Sequence, residues 1–226
     1  MTPRYKVFLI GLCVVFVLLG ASGCELALPT PQPASYTVPE EQKSQATPGM
    51  VNIEFQVNIP ANTPAENPIY LSVLDEVTGL ALNAKRHKME QVDERHYQIS
   101  LSLPVGTTLK YRYSRQGNIL FEEHNSDGRA VRYRLYQVEA AGDVQDVITR
   151  WNDTPLDSPT GRISGTLSAA QNGSPVAGIL VSAGGDQVVT NSDGEFLIEG
   201  LPPGTHNLVA YAMDGSYATF QQGALV

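Results

Sequence analysis

Four histidines, one tryptophan, an Arg–Tyr strand and a carboxylate-bearing turn are the residues with chemistry to offer in this 226-residue chain. His87, His96, His124 and His206 stand singly, without the close spacing that lets side chains share a metal ion. His124 follows Glu122 and Glu123, a base beside acids, but the run reads as a charged loop. Asn191, Asp193 and Glu195 alternate around Gly194. They offer oxygen ligands, yet a calcium loop would supply more carboxylates and a distal glutamate. A hairpin turn built on Asp-Gly accounts for the same residues. Sugar recognition needs a flat aromatic face with polar groups beside it. Trp151 is the one tryptophan and would suit stacking, although a core position at a strand end is the stronger reading for so large a ring. Tyr111 and Tyr113 share one strand face and read as core-lining, with hydroxyls at the rim. Arg132, Arg134 and Tyr136 alternate along another strand. That face would take a carboxylate or a sugar, or stand solvated. The ligand-binding candidates are therefore Trp151, Tyr136, Arg132 and Arg134. No metal ligand set and no cofactor is expected. The chain has no Gly-x-Ser-x-Gly elbow, His-Glu-x-x-His, phosphate-cradling glycine loop or Cys-x-x-Cys, so no catalytic residue is assigned and a non-enzyme is expected.

The remaining chemistry lies at the start. Arg4 and Lys6 precede an apolar run, Val7 to Leu19, broken only by Gly11. Small residues Gly20 to Gly23 follow, then Cys24. This is the layout of a secretory signal, and the apolar run is shorter than the ~20 residues that span a bilayer. Leu19-Gly20-Ala21-Ser22-Gly23-Cys24 resembles the lipobox of bacterial lipoproteins, with Ala21 where leucine is usual. The resemblance implies cleavage before Cys24, a diacylglyceryl thioether on its sulfur, and an extracytoplasmic, membrane-attached lipoprotein. Two acyl chains are enough for stable anchoring. The chain carries a formal charge of −8, and loss of Arg4 and Lys6 would make it more acidic. Lipid, not electrostatic attraction to an anionic leaflet, is then the membrane partner. The same acidity argues against nucleic acid. The only cysteines, Cys13 and Cys24, precede the folded part, which excludes a disulfide scaffold.

The elements that must position these residues read as strands. Residues 1–23 are the signal, and 24–49 are a Pro-rich linker with an extended, polyproline-like character. Val51, Ile53, Phe55, Val57 and Ile59 then alternate with polar residues, the signature of a half-buried strand. Tyr97 to Leu103, Leu109 to Tyr113 and Val131 to Leu135 repeat the pattern, separated by turns such as Asn125-Ser126-Asp127-Gly128. Many short strands with frequent turns predict an antiparallel sandwich over 50–154. After a short linker, a second set follows over 155–226: Ile163 to Leu167, Ile179 to Ala183, Phe196 to Ile198 and Leu208 to Ala212. The fold class expected is all-β, two consecutive antiparallel β-sandwiches. The run Gly223-Ala224-Leu225-Val226 reads as the second sandwich lacking its last strand.

The first of these segments resembles the starch-binding-domain-like, or carbohydrate-binding-like, sandwiches. The likeness is carried by Phe55-Gln56-Val57-Asn58-Ile59-Pro60, Ile69-Tyr70-Leu71, Tyr97 to Pro104, Gly106 to Tyr113 and Val147 to Trp151. The family's Gly-Asn-Phe-then-Trp segment has no counterpart at Ser72 to Leu80. The second segment resembles the carboxypeptidase regulatory-like domain, through Gly161-Arg162-Ile163-Ser164-Gly165, Pro175 to Val181, Thr190 to Phe196 and Gly200-Leu201-Pro202-Pro203-Gly204. That resemblance implies a non-catalytic module serving as spacer or partner surface.

These readings combine into a lipid-anchored bacterial protein whose two sandwiches bind, adhere or space without catalysing a reaction. Capture of a polysaccharide, starch-like α-glucan by the family's suggestion, is the alternative for the first sandwich. A further alternative is the non-catalytic N-terminal part of a larger surface enzyme. No protein partner is legible.

Overall fold

The computed structural model describes residues 49–74 and 84–226. The signal, Cys24, nearly all of the Pro-rich linker and residues 75–83 lie outside them. Every regular element among the described residues is a strand.

Ten strands build the first sandwich: β1 (Met50–Asn58), β2 (Ile69–Val73), β3 (Lys85–Lys88), β4 (Glu90–Gln91), β5 (His96–Pro104), β6 (Thr108–Gln116), β7 (Leu120–His124), β8 (Arg134–Gln137), β9 (Gly142–Val147) and β10 (Arg150–Trp151). One sheet runs β4-β5-β1-β9. The facing sheet runs β10-β7-β6-β2-β3, with β8 following β7 along the same edge of the long β6. The alternation read from β1 sets its sides. Ile53, Phe55 and Val57 are buried, whereas Asn52 is exposed and Glu54, Gln56 and Asn58 are half-buried on the outer face. Phe55 lies opposite Ile99 in β5 and Val144 in β9, so a row of apolar side chains crosses the sheet toward the core. Within that core Phe55 meets Tyr111 and Tyr136 edge-on, at 5.1 and 6.1 Å between ring centroids, a geometry that suits the ring quadrupoles. One pairing departs from the antiparallel rule: β1 and β9 are parallel. Parallel neighbours need a long connection, and here it is most of the sandwich.

Six strands follow: β11 (Gly161–Thr166), β12 (Leu180–Ala183), β13 (Asp186–Val189), β14 (Glu195–Leu201), β15 (Thr205–Tyr211) and β16 (Phe220–Leu225). β11 pairs β14, and a second sheet runs β13-β12-β15-β16. Ile163, Val181, Ile198, Leu201 and Leu208 form the core between them. Asn191–Gly194 links β13 to β14, which belong to different sheets, so it is a crossing turn and not a hairpin. Asn191 Oδ1 accepts the backbone N–H groups of Asp193 and Glu195, which puts this oxygen to work inside the turn.

The two sandwiches share a third, smaller core. Leu135 of β8 is buried with Leu180 and Val209, and Tyr133 and Tyr211 flank them. The free edge of β8 is met by side-chain amides from the second sandwich. Gln221 accepts from the Gln137 N–H (3.0 Å) and donates to the Gln137 carbonyl (2.8 Å), replacing one rung of a missing strand. Asn207 donates to the Leu135 carbonyl (2.8 Å) and Gln187 to that of Tyr133 (3.1 Å). An unsatisfied strand edge invites pairing with other chains, and here it is sealed within the molecule. Bare glycines let the surfaces meet. A Cβ on Gly204 (φ +139°) would stand 2.8 Å from Val147, and one on Gly185 (φ +89°) 2.7 Å from Val131.

Candidate functional site

The densest gathering of ionisable side chains lies inside the first sandwich. Arg134 of β8, Glu123 of β7 and Asp146 of β9 are each at most 3 % exposed. The Arg134 guanidinium donates from Nη2 to Glu123 Oε2 (2.8 Å), from Nη1 to Asp146 Oδ1 (2.9 Å) and from Nη2 to the Val147 carbonyl (3.0 Å). Tyr111 and Tyr113 both donate their hydroxyls to Asp146 Oδ2, at 2.7 and 2.9 Å. Glu123 Oε1 accepts the Tyr113 backbone N–H at 2.8 Å. Burial pushes the Glu123 carboxyl above its ordinary range, against the pull of Arg134. Burial also opposes the charge on Arg134, but the carboxylates of Glu123 and Asp146 outweigh it and hold the group well above its usual value. Burial and then the Asp146 charge drive both tyrosines well above theirs. Such a network fixes four strands, β6 to β9, to one another. Its acceptors are all engaged, leaving neither a free base nor a free nucleophile.

This arrangement revises the predicted Arg–Tyr strand face. Arg134 and Tyr136 point into the core, and Tyr136 is 6 % exposed. Arg132 alone of the three is exposed, and its guanidinium lies 5.7 Å from the ring centroid of Tyr133. The alternation was legible, but β8 is a strand with a core on each side, so neither face is solvated. The strand also starts at Arg134 rather than Val131, because the Val131 N–H turns back to the Glu123 carbonyl. The hydroxyls of Tyr111 and Tyr113 end on Asp146 deep in the core and not at a rim.

Trp151 is completely buried. Its indole N–H donates to Thr63 Oγ1 at 2.9 Å, and the Arg115 guanidinium sits 5.8 Å from its ring centroid while stacking on Phe121 at 4.2 Å. Arg115 is ion-paired with Asp153. The ring therefore offers no face for a sugar to stack upon, and its place is the core. The histidines stay apart. His96 is bound to Asp93 (2.8 Å), His124 to the Gly128 carbonyl (2.8 Å), and His206 to the Pro202 carbonyl (2.8 Å). Among the described residues, no His, Cys, Asp and Glu side chains group as a metal site.

A groove of about 510 Å³ lies between the β4-β5-β1-β9 sheet and the Gly204–Thr205 turn of the second sandwich. Gln56, Asn58, His96, Gln98 and Gln145 line it from the first side. Apart from His96, these residues belong to the polar half of each strand's alternation, which carries no core signal. Their signal was that half itself: Asn52, Glu54, Gln56 and Asn58 of β1 are all hydrogen-bonding side chains.

Residues 162–224 match the carboxypeptidase regulatory-like domain. The match covers the strands β12 to β15 whole and nearly all of β11 and β16. An amylopullulanase of Thermoanaerobacter thermohydrosulfuricus is 27 % identical over 128 residues, which is 54 % of this chain and 8 % of that enzyme. An amylopullulanase of Thermoanaerobacterium thermosulfurigenes is 23 % identical over 155 residues, 65 % of this chain and again 8 % of the enzyme. The chain thus spans under a tenth of the length of these relatives. Among solved structures, a streptococcal ancillary pilin overlaps 78 % of this chain and 59 % of its own, at 9 % identity and a TM-score of 0.29.

Proposed function

We propose that this chain is a tethered, extracytoplasmic binding and spacing unit that performs no reaction of its own. Cys24 carries its lipid anchor, residues 24–49 hold it off the membrane, and the sandwiches present a rigid surface. The observation that supports this most is the fate of the charged groups: Arg134, Glu123 and Asp146 consume one another in the core, so the ionisable cluster is framework. The regulatory-like match of the second sandwich points the same way. Mass spectrometry of the amino terminus of protein taken from cells tests the tether. A diacylglyceryl-modified Cys24 in the membrane fraction is expected. An unmodified terminus on protein from the cell interior would reject the reading.

A second reading, polysaccharide capture, is favoured by the similarity to segments of two amylopullulanases. Affinity electrophoresis in gels containing α-glucans tests it: retarded migration supports capture, and unchanged migration in every glucan removes starch-like ligands from consideration.

A further inference from the structure

The outer face of the β4-β5-β1-β9 sheet carries a row of amides. Gln56 of β1 lies directly opposite Gln98 of β5 on one side and Gln145 of β9 on the other. Glu90 of β4 continues the row beyond Gln98. Neighbouring strands are about 4.8 Å apart, so the three glutamines span about 10 Å in a line. Gln98 also borders a second depression beside Ser100 and Lys88, and Gln145 a third beside Asn207 and Asp143. The row therefore joins three hollows into one track across the sheet.

Its chemistry is selective. The side chains of Gln98 and Gln145 make no hydrogen bond among the described residues, and Gln56 spends only its N–H on Glu54 Oε1 (2.8 Å). Asn58, in the groove wall, keeps a buried Oδ1 with no partner. Each amide offers donor and acceptor together. No lysine or arginine lines the groove. Its carboxylates are already engaged, Asp93 with His96 and Asp146 with Arg134 and the two tyrosines. Within this central groove a charged ligand finds no free counter-charge, Lys88 and Asp143 bordering only the outer hollows, and an apolar one would strand the amides without partners. A peptide adding as a strand needs a sheet edge, and this track runs over a face.

We propose that the Gln98–Gln56–Gln145 row, under the Gly204–Thr205 turn, binds a neutral oligosaccharide through paired hydroxyl–amide hydrogen bonds. Vicinal hydroxyls donate and accept as primary amides do, and an inter-strand step is close to the length of one pyranose ring. The inference deepens the polysaccharide reading by moving recognition from aromatic stacking to an amide track, and it rests on that reading.

The test is calorimetric titration of the full-length chain with maltoheptaose and with cellohexaose, repeated on a Gln98→Thr/Gln145→Thr double variant. Threonine keeps the strand preference, and an unchanged thermal midpoint shows that the fold survives. Binding of either sugar that weakens about ten-fold or more in the double variant is the expected result. A Gln145→Asn variant should fall between, since it keeps the amide on a shorter arm. Binding that is unaffected by the double variant overturns the site while leaving polysaccharide capture standing. Binding of neither sugar by the full chain overturns the site together with that reading, and leaves the Cys24 tether to its own test.

Discussion

At the scale of single residues, Arg134 does the most. It is one buried cation facing two buried carboxylates, and removing one partner of such a set leaves the others uncompensated. Arg134→Met is expected to destabilise the fold by about 3–5 kcal/mol, read from urea denaturation. Tyr113→Phe takes away one hydrogen bond to Asp146 Oδ2 and should lower stability by about 1 kcal/mol. His206 gives the pH dependence. It is fully buried, and burial lowers its imidazole below the ordinary value of 6.5, in spite of the opposing bond to the Pro202 carbonyl. The unfolded chain then takes up the proton more readily than the native one. This contribution is full above about pH 6.5 and is lost as the pH falls from there toward the native value. Urea midpoints measured between about pH 8 and 5 should decline on acidification, and less steeply in His206→Gln.

At the scale of elements, β8 sets the molecule's construction. It is four residues long, yet it gives Arg134 and Tyr136 to one core and Leu135 to another. Leu135→Ala is expected to cost about 2–4 kcal/mol, and to make the 154–161 connection cleave faster under limited proteolysis as the sandwiches part. Gly204→Ala forces a side chain onto a backbone at φ +139° and against Val147. It should lower the thermal midpoint while leaving strand content by circular dichroism intact. The long strands were legible from the chain alone, because β1, β5 and the Thr108–Tyr113 half of β6 each bury one face and so keep the alternation. The strands β3, β4 and β7 were not: Lys85–Lys88 and Glu90–Gln91 hold mostly charged and polar residues at a sheet margin, where no apolar period is needed. The sides of β8 were misread for the opposite reason. A strand buried on both faces has no solvated side for polarity to mark, and its arginine is neutralised by partners distant in sequence. The groove was illegible because it is assembled from β1, β5, β9 and a turn of the other sandwich, which only the register brings together.

At the scale of the whole molecule, the second sandwich leans on the first. Its β11–β14 sheet has two strands, and a domain of about 65 residues is marginal alone. Residues 155–226 produced separately should melt well below the intact 50–226 unit, or without a cooperative transition, with thermal circular dichroism as the readout.

The parallel neighbour of β1 has a temporal side as well. Ile53 is matched to Gly142, so a polypeptide emerging amino-terminus first, from a ribosome or an export channel, makes its first strand long before that strand's last neighbour exists. Until then the edge of β1 that β9 will take has no strand beside it, a liability for any chain dominated by distant pairings. The β4-β5-β1-β9 sheet is therefore completed late in synthesis, when β9 reaches the waiting edge of β1.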